Sequence, residues 1–328
     1  MSKFKRADSV WPGKISEEER LTLQTLGDSL LPGFKQLLNQ EHIKNSDEFN
    51  HAHQHIYLPF CHWLVQQQQQ NPLVVGINGS QGSGKSTLTR ILKYLLESGF
   101  NKKVALLSID DLYKTQQQRQ QLARDIHPLL ITRGVPGTHD IELGINIFEQ
   151  LLAEDIDTVD IPVFDKASDD RAPRSHWQQF SGQCDIILFE GWCVGTSAEE
   201  ATTLLTPVNT LEESEDNDAR WRQYVNQQLK DNYCKLFNFI DIQLLLKIPD
   251  FNKVFEWRKL QEKKLSKQFQ LTSSCDVPQA IMNEKQIERF IMHYERLTRH
   301  TLNEMPDRCD VVFELGGNHM IENIRTKI

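Results

Sequence analysis

The feature of this sequence that most constrains its fold is a glycine-rich motif between an apolar run and an amphipathic stretch. The motif reads Gly79-Ser80-Gln81-Gly82-Ser83-Gly84-Lys85-Ser86 and satisfies the pattern GxxxxGK[ST] in full. Residues 73–77, LVVGI, are typical of a strand buried on both faces. After the motif, apolar residues at i, i+3, i+4 and i+7 indicate one buried helix face: Leu88, Ile91, Leu92 and Leu95. The sequence therefore predicts a strand, a phosphate-binding loop and a helix in succession.

The residues of this loop have roles that follow from phosphate chemistry. Glycine permits tight backbone turns, so that successive N–H groups face a phosphate at the positive end of the helix. Lys85 is expected to bridge the β- and γ-phosphates, and the Ser86 hydroxyl is expected to ligate Mg²⁺. We therefore predict ATP and Mg²⁺ as cofactors, with nucleotide contacts from Gly79, Ser80, Gln81, Gly82, Ser83, Gly84, Lys85, Ser86 and Thr87.

Similar apolar runs recur along the chain and alternate with amphipathic stretches. They occupy residues 104–107, 186–189, 242–248 and 311–313. Buried strands that alternate with helices predict a mostly parallel sheet with helices on both faces, and the phosphate loop makes this the α/β P-loop NTPase fold. Residues 1–70 lack this pattern and indicate a helical extension whose first helix starts at a capping box formed by Ser16 and Glu19. We expect the extension at 1–70 and the P-loop domain at 71–328.

Composition and charge exclude several function classes. The chain of 328 residues is 39% hydrophobic and 25% charged, as is usual for a folded globular protein. Its net charge of −8 disfavours nucleic acids and membrane surfaces as partners, because both attract basic proteins. No apolar run approaches the length of a membrane span, and no secretory signal is recognisable at the start. The six cysteines form no CxxC pair, which favours reduced thiols and a cytoplasmic protein. The oligomeric state stays open.

A P-loop alone does not say what happens to the γ-phosphate, but the other motifs favour a kinase. The guanine-binding motif of GTPases is missing, because Asn252-Lys253 is followed by valine and phenylalanine. The second apolar run ends in the residues SIDD, which places a carboxylate at the carboxyl end of a strand beside the P-loop. We predict that Asp110 is the general base that orients the acceptor hydroxyl. Asp111 is the alternative, although the alternation of a strand aims it elsewhere.

A second acid follows the apolar run of residues 186–189. An acid in this position can hold Mg²⁺ through water, as the Walker-B acid of P-loop proteins does. We predict that Glu190 has this role, so that the metal site consists of Ser86 and Glu190. A structural role at the turn is the alternative for Glu190.

Taken together, several stretches of the chain resemble the D-glycerate 3-kinase family, within the group that contains phosphoribulokinase, uridine kinase and bacterial pantothenate kinase. They are the P-loop, SIDDLY at 108–113, RGVPGTHD at 133–140, PVFDK at 162–166, FEGW at 189–192, VFEWR at 254–258 and QE at 261–262. The resemblance runs in order over residues 71–315. It implies a kinase that phosphorylates a hydroxyl of a small acid, with glycerate as the acceptor. Phe164 stands where the plant enzymes carry a tyrosine, so the acceptor is less determined than the reaction.

Two polar loops within these stretches supply the predicted acceptor site. In the first, Arg133 is expected to bind a substrate carboxylate with a bidentate fork. His139 and Asp140 of the same loop are expected to bind hydroxyl groups. In the second, Lys166 and Arg171 are cationic partners for an acid or for the transferring phosphoryl group. The predicted substrate-binding residues are Arg133, His139, Asp140, Asp165, Lys166 and Arg171. Ordinary turn positions and surface ion pairs are the alternative interpretation of these residues.

A basic helix is predicted directly after the apolar run of residues 242–248. Residues 250–265 are helical in pattern and rich in lysine and arginine. In this kinase group a helical lid delivers cations over the phosphates, so we predict a lid at about residues 250–300. Arg258 is our candidate for a catalytic cation, beside Lys85 and Asp110, and a solvated helix face is the alternative. The acidic segment 211–218 is expected to be a solvated loop or helix start.

Three functions are compatible with these motifs. The favoured one is ATP-dependent phosphorylation of a small hydroxy acid. The others are a kinase of another small alcohol or a nucleoside, and a nucleotide-binding regulatory protein that hydrolyses ATP slowly. A regulator would not need two acceptor loops, which favours phosphoryl transfer to an acceptor.

Overall fold

A six-stranded sheet forms the centre of the protein, and the apolar runs of the sequence form its strands. The computed structural model describes residues 16–69, 71–155, 157–260 and 282–327. Its strands are β1 (Leu73–Gly79), β2 (Val104–Ser108), β3 (Thr158–Ile161), β4 (Phe164–Asp165), β5 (Asp170–Arg171), β6 (Gln178–Ser181), β7 (Ile186–Gly191), β8 (Ile242–Lys247), β9 (Val311–Leu315) and β10 (Ile321–Thr326). The central sheet has the order β10-β9-β8-β1-β7-β2, while β3 pairs with β6 and β4 with β5 in two small sheets.

The central sheet is parallel apart from β10, which runs antiparallel to β9. β1 lies between β7 and β8, and all seven of its residues are buried, as the apolar run before the P-loop predicts. The pairing sets Ile77 of β1 and Ser108 of β2 opposite Glu190 of β7. Because parallel strands end at the same edge of the sheet, the P-loop, Glu190 and the residues after β2 meet there. The predicted α/β fold class is confirmed.

Helices cover both faces of the sheet. They are α1 (Glu17–Gln40), α2 (Asp47–Ala52), α3 (Leu58–Gln67), α4 (Lys85–Phe100), α5 (Gln116–Asp125), α6 (Ile141–Leu152), α7 (Thr210–Glu215), α8 (Arg220–Gln228), α9 (Cys234–Phe237), the helical residues 252–260, called α10 here, and α11 (Glu284–Glu304). Short π-helical turns join α2 to α3 and α8 to α9. The predicted capping box starts α1, since Ser16 Oγ accepts from Glu19 N at 3.2 Å and Glu19 Oε2 accepts from Ser16 N at 2.7 Å.

The N-terminal helices share a hydrophobic core with one face of the sheet. Phe34 of α1 and Phe60 of α3 are fully buried in the same cluster as Val75, Ile77 and Leu92. The ring of Phe60 meets the ring of Phe313 in β9 edge-on, with centroids 5.6 Å apart. Residue 70 therefore marks a change in sequence pattern, while packing joins the helices before it to the sheet. The other face, which includes Val74, packs in a second cluster with α6, α8 and α11.

The acidic segment 211–218 begins in the first turn of a helix, which is one of the two alternatives predicted for it, but two of its acids are not solvated. Residues 210–215 form α7, and the side chains of Glu212 and Asp216 are fully buried. Glu212 Oε2 accepts from Arg296 at 2.7 Å, and Asp216 Oδ2 accepts from Arg222 at 2.8 Å. The prediction was wrong for these two acids, because burial of a charge is tolerated where a hydrogen-bonded partner of opposite charge is buried with it.

No helix in the described parts of the chain is both long and apolar enough to cross a lipid bilayer. The cytoplasmic location stays a prediction.

The shared core predicts that the N-terminal helices and the sheet unfold together. Phe60→Ala should lower the free energy of unfolding by about 3–5 kcal/mol, because it removes a buried aromatic ring from that core. Denaturant unfolding followed by circular dichroism and tryptophan fluorescence should show one transition, shifted as a whole. Leu21→Ala, at a position that is 56% exposed on α1, is the control and should change stability by less than about 0.5 kcal/mol. An early transition of the N-terminal helices with an unmoved main transition would contradict the shared core.

Candidate active site

The P-loop of this chain has the backbone of an anion cradle. Gly82 and Gly84 have φ angles of 79° and 93°, a left-handed region in which other residues are strained, and α4 begins directly after them. The hydroxyls of Ser80 and Ser83 are buried without a hydrogen-bond partner. Lys85 Nζ donates to Ser80 O at 3.2 Å. Orphaned hydroxyls, a cation and the free N–H groups of a helix start fit a polyphosphate chain.

Ser86 and Glu190 lie side by side at the mouth of this cradle. Ser86 Oγ donates to Glu190 Oε1 at 2.6 Å, and only 9% of Glu190 is exposed. A hydroxyl and a carboxylate at this separation supply the oxygen ligands that Mg²⁺ prefers. The residues present therefore fit the predicted metal, whose placement on Ser86 and Glu190 stays a prediction.

Asp110 lies on a 3₁₀ turn (Ile109–Leu112) that directly follows β2. Its carboxylate accepts from Lys166 Nζ at 2.9 Å and from the Tyr113 hydroxyl at 3.0 Å. Burial alone would raise the pKa of Asp110, but the ammonium groups of Lys166 and Lys85 outweigh it and lower the pKa to about 2. The group is therefore ionised at neutral pH and able to accept a hydrogen bond from an acceptor hydroxyl.

Asp111 also reaches the cavity but in a different environment. Its Oδ1 accepts from Phe164 N at 3.1 Å, which ties the turn after β2 to β4. Burial raises the pKa of Asp111 to about 6, and the carboxylates of Asp110 and Glu190 add to that rise. Of the two adjacent acids, Asp110 is thus the more firmly ionised at neutral pH and has the cationic partner.

These groups line one cavity above the carboxyl edge of the sheet. Its walls include the P-loop residues 81–87, Asp110, Asp111 and Glu190. Of the predicted acceptor residues, Arg133 and Lys166 face it. The structure therefore brings the cradle, a carboxylate and two further cations to one space.

The remaining predicted acceptor residues lie behind this wall. His139 is buried, with its ring stacked on Tyr113 at 4.4 Å and a 2.5 Å hydrogen bond between its Nδ1 and the Tyr233 hydroxyl. Burial lowers the pKa of His139 to about 3, so its ring is neutral. Asp140 caps α6 by accepting from Leu143 N at 3.2 Å, and its other oxygen accepts from Arg171 at 3.1 Å.

Asp165 is the last residue of β4, and its oxygens accept from Ala167 N and the Ser168 hydroxyl in the turn that leads to β5. The described structure thus gives four of the predicted acceptor residues partners of their own and does not bring them to the cavity wall: His139, Asp140, Asp165 and Arg171. They brace the two loops that carry Arg133 and Lys166. Direct contact of these four with an acceptor stays a prediction, and it would require these partners to be exchanged.

The predicted lid begins above the P-loop. Arg258 of α10 lines the cavity, and its guanidinium carbon lies 5.1 Å from the centre of the Phe290 ring in α11. The neighbouring Trp257 packs on Gly82 and stacks on His319, with ring centroids 3.9 Å apart. α10 is thereby fixed against the cradle at Trp257, in its second turn. The rest of the predicted lid helix, including residues 261–265, lies outside the described residues.

Several cavity residues carry no motif and were missed by sequence reasoning. One group comes from the N-terminal extension and consists of His42, Lys44 and Phe49. A second group, Asn318 and His319, comes from the turn between β9 and β10. Tyr294 of α11 also faces the cavity and donates to Arg133 O at 3.2 Å. Periodicity assigns such residues to helices and turns, but it does not say which turn approaches the P-loop.

Comparisons with known proteins place these features in context. No protein-family profile matches the chain. The chain is 30% identical over 236 residues to the uncharacterized kinase mug58 of Schizosaccharomyces pombe, covering 68% of this chain and 78% of that protein. It is 29% identical over 259 residues to the chloroplastic D-glycerate 3-kinase of Arabidopsis thaliana, covering 73% of this chain and 52% of that protein. The solved D-glycerate 3-kinase of Cryptococcus neoformans has the same fold, with a TM-score of 0.65, 22% identity and coverage of 93% and 99%.

The cradle predicts a phosphate-binding role for Lys85 that is separable from folding. Lys85→Ala should reduce ATP turnover by roughly 10²–10³, because it removes a cation aimed at developing phosphate charge. Lys93→Ala on the same helix is the control, since Lys93 donates to Val104 O at the amino end of β2 and does not line the cavity. Steady-state ADP release and thermal melting would be measured on both variants. A folded Lys85→Ala variant with wild-type turnover would remove the role of the loop.

Proposed function

The chain belongs to the D-glycerate 3-kinase-like family of P-loop kinases, and from that premise we propose that it transfers the γ-phosphate of ATP to a hydroxyl of a small hydroxy acid, D-glycerate. The observation that carries this proposal is that Arg133 and Lys166 face the same cavity as the P-loop and Asp110. A kinase with a neutral acceptor has no need of cations beyond those that meet the phosphates. A carboxylate beside the reacting hydroxyl is a partner that both cations favour.

The nucleotide half of the reaction rests on the cradle. Backbone N–H groups of the loop and the start of α4 would bind the β-phosphate, and Lys85 would neutralise charge on the γ-phosphate. Ser86 and Glu190 would hold Mg²⁺, which when bound screens the phosphate charge against the incoming hydroxyl. The hydrogen bond between Ser86 and Glu190 keeps both oxygens in place, so little reorganisation is needed when ATP binds.

Asp110 is assigned to the acceptor hydroxyl. The carboxylate accepts that hydroxyl's hydrogen bond and takes its proton as the oxygen bonds to phosphorus. The pairing with Lys166 and Lys85 keeps this carboxylate ionised at neutral pH, so that it can orient the hydroxyl and accept its proton. In the described structure, Lys166 Nζ donates to Asp110 Oδ2 at 2.9 Å. Its ammonium group is then near both the hydroxyl and the transferring phosphoryl group.

The lid would complete the site. Arg258 is positioned on α10, which packs against Gly82 through the adjacent Trp257, and its cation would reach the phosphates from above. Such closure excludes water, which would otherwise compete with the acceptor for the γ-phosphate. A slow regulatory ATPase would not need this exclusion, nor a second pair of cations opposite the cradle.

The role of Asp110 predicts a loss of rate with retained ATP binding. Asp110→Asn should lower kcat by roughly 10²–10⁴, because the amide keeps the shape but does not accept the proton. Asp111→Asn is the matched control and should lower kcat less, since its carboxylate holds the Phe164 backbone instead. Steady-state kinetics and ATP titration on both variants decide between the adjacent acids. If Asp111→Asn were the inactive variant and Asp110→Asn kept the wild-type rate, the assignment would be reversed.

The acceptor is tested by ADP release in the presence of D-glycerate, glycerol, uridine and pantothenate. D-Glycerate should give acceptor-dependent release, and glycerol, which lacks the carboxylate, should be a poor substrate. Arg133→Lys should raise KM for D-glycerate by about tenfold or more with little change for ATP, because a planar fork becomes a point charge. The variant should lose little further activity on glycerol. ADP release that is independent of every acceptor would favour the regulatory ATPase, and a preference for uridine or pantothenate would overturn the acid acceptor.

A further inference from the structure

Asp169 is a cavity residue to which the proposed reaction gives no role. It lies on the turn between β4 and β5, which also carries Lys166, and it lines the cavity. Its φ angle is 55°, a left-handed conformation that costs energy for most residues with a side chain. The backbone of this turn thus keeps an aspartate at a position where glycine or asparagine would adopt the left-handed conformation at a lower energetic cost.

The carboxylate of Asp169 is shared by two guanidinium groups. Arg133 donates to one oxygen, and Arg119 of α5 lies 3.0 Å from the other. Arg119 is only 1% exposed, which is unusual for an arginine. Its nitrogens also donate to Lys114 O at 3.2 Å, Ile131 O at 2.8 Å and Asp169 O at 2.5 Å. Four acceptors from three segments thus fix Arg119, and Arg119 fixes Asp169.

The guanidinium group of Arg133 is held by Asp169 and by the ring of Phe164. Its guanidinium carbon lies 5.4 Å from the centre of the Phe164 ring, and one of its nitrogens is bonded to Asp169. Its side chain is 28% exposed and faces the cavity. A free arginine side chain loses much rotamer freedom when it binds a ligand. An arginine already held by a carboxylate and a ring has lost that freedom in advance, which favours binding.

We propose that Asp169, fixed by the buried Arg119, is a positioning residue that aims the guanidinium group of Arg133 at the acceptor carboxylate and so determines the preference for acid acceptors. This inference rests on the proposed function. The opposite role is also chemically possible for an acid here, namely competition with the acceptor for Arg133. The two roles differ in sign: removal of a negative charge alone strengthens binding of an anion, whereas loss of positioning weakens it.

The test is the kinetics of Asp169→Asn and Asp169→Gly with D-glycerate, glycerol and ATP. Asparagine and glycine both tolerate a left-handed backbone, and either variant keeps the backbone carbonyl that accepts from Arg119. We expect KM for D-glycerate to rise about tenfold or more, because the variants lose the charge-assisted hydrogen bond that orients Arg133. A change of this size is typical for the loss of one such bond. KM for ATP should stay within about twofold, and kcat/KM for glycerol should change little, since a general structural defect would move all three.

Asp160→Asn is the matched control, because Asp160 is an exposed acid of β3 whose Oδ1 accepts from Gln179 and which does not line the cavity. It makes the same change of charge and should leave all three values unaltered. An unchanged or lowered KM for D-glycerate in folded Asp169 variants would overturn the positioning role while leaving the proposed function intact. If the wild-type chain phosphorylates no hydroxy acid at all, the proposed function fails, and this inference fails with it.

Discussion

The parallel pairing of β1 with β7 and β8 is the constraint on which the site depends. β1 is buried on both faces between these neighbours, so its carboxyl end is fixed and the P-loop starts from a rigid point. The register places Glu190 of β7 opposite both Ile77 of β1 and Ser108 of β2. The Ser86–Glu190 hydrogen bond and the turn that carries Asp110 follow from that register. The P-loop, Glu190 and Asp110 therefore meet because three strands end together.

A second principle governs the charges of the cavity. Each of the two cations assigned to the acceptor is paired with a carboxylate of the protein, Lys166 with Asp110 and Arg133 with Asp169. Such pairs keep the long side chains ordered and remove the penalty of unpaired charge. An acceptor that offers both a hydroxyl and a carboxylate can engage both pairs at once: the hydroxyl at Asp110 and the carboxylate at Arg133. A neutral alcohol engages only one of them.

The local patterns of the sequence were sufficient for the fold and for the strand, loop and helix around the P-loop, since these signals lie within short windows around Gly79 and Lys85. They were insufficient where partners are distant in sequence. Loop position suggested that His139, Asp140 and Arg171 could meet a substrate, but their directions depend on Tyr233 and on one another. Likewise, Arg119 and Asp169 are separated by 50 residues, and neither belongs to a motif. A buried pair of this kind becomes visible only when the chain is folded.

The N-terminal extension shows the same limit and its consequence for function. Its helices share the core of the sheet, and Arg90 of α4 donates to Glu41 Oε1 at 2.6 Å just after α1 ends. α4 is the helix whose start binds phosphate in the proposed reaction, so the extension packs against the element that positions the cradle. His42, Lys44 and Phe49, which follow Glu41 in the chain, line the cavity together with Arg90. The extension is thus part of the wall around the nucleotide cradle, because the packing that stabilises α4 also brings residues 42–49 to the cavity.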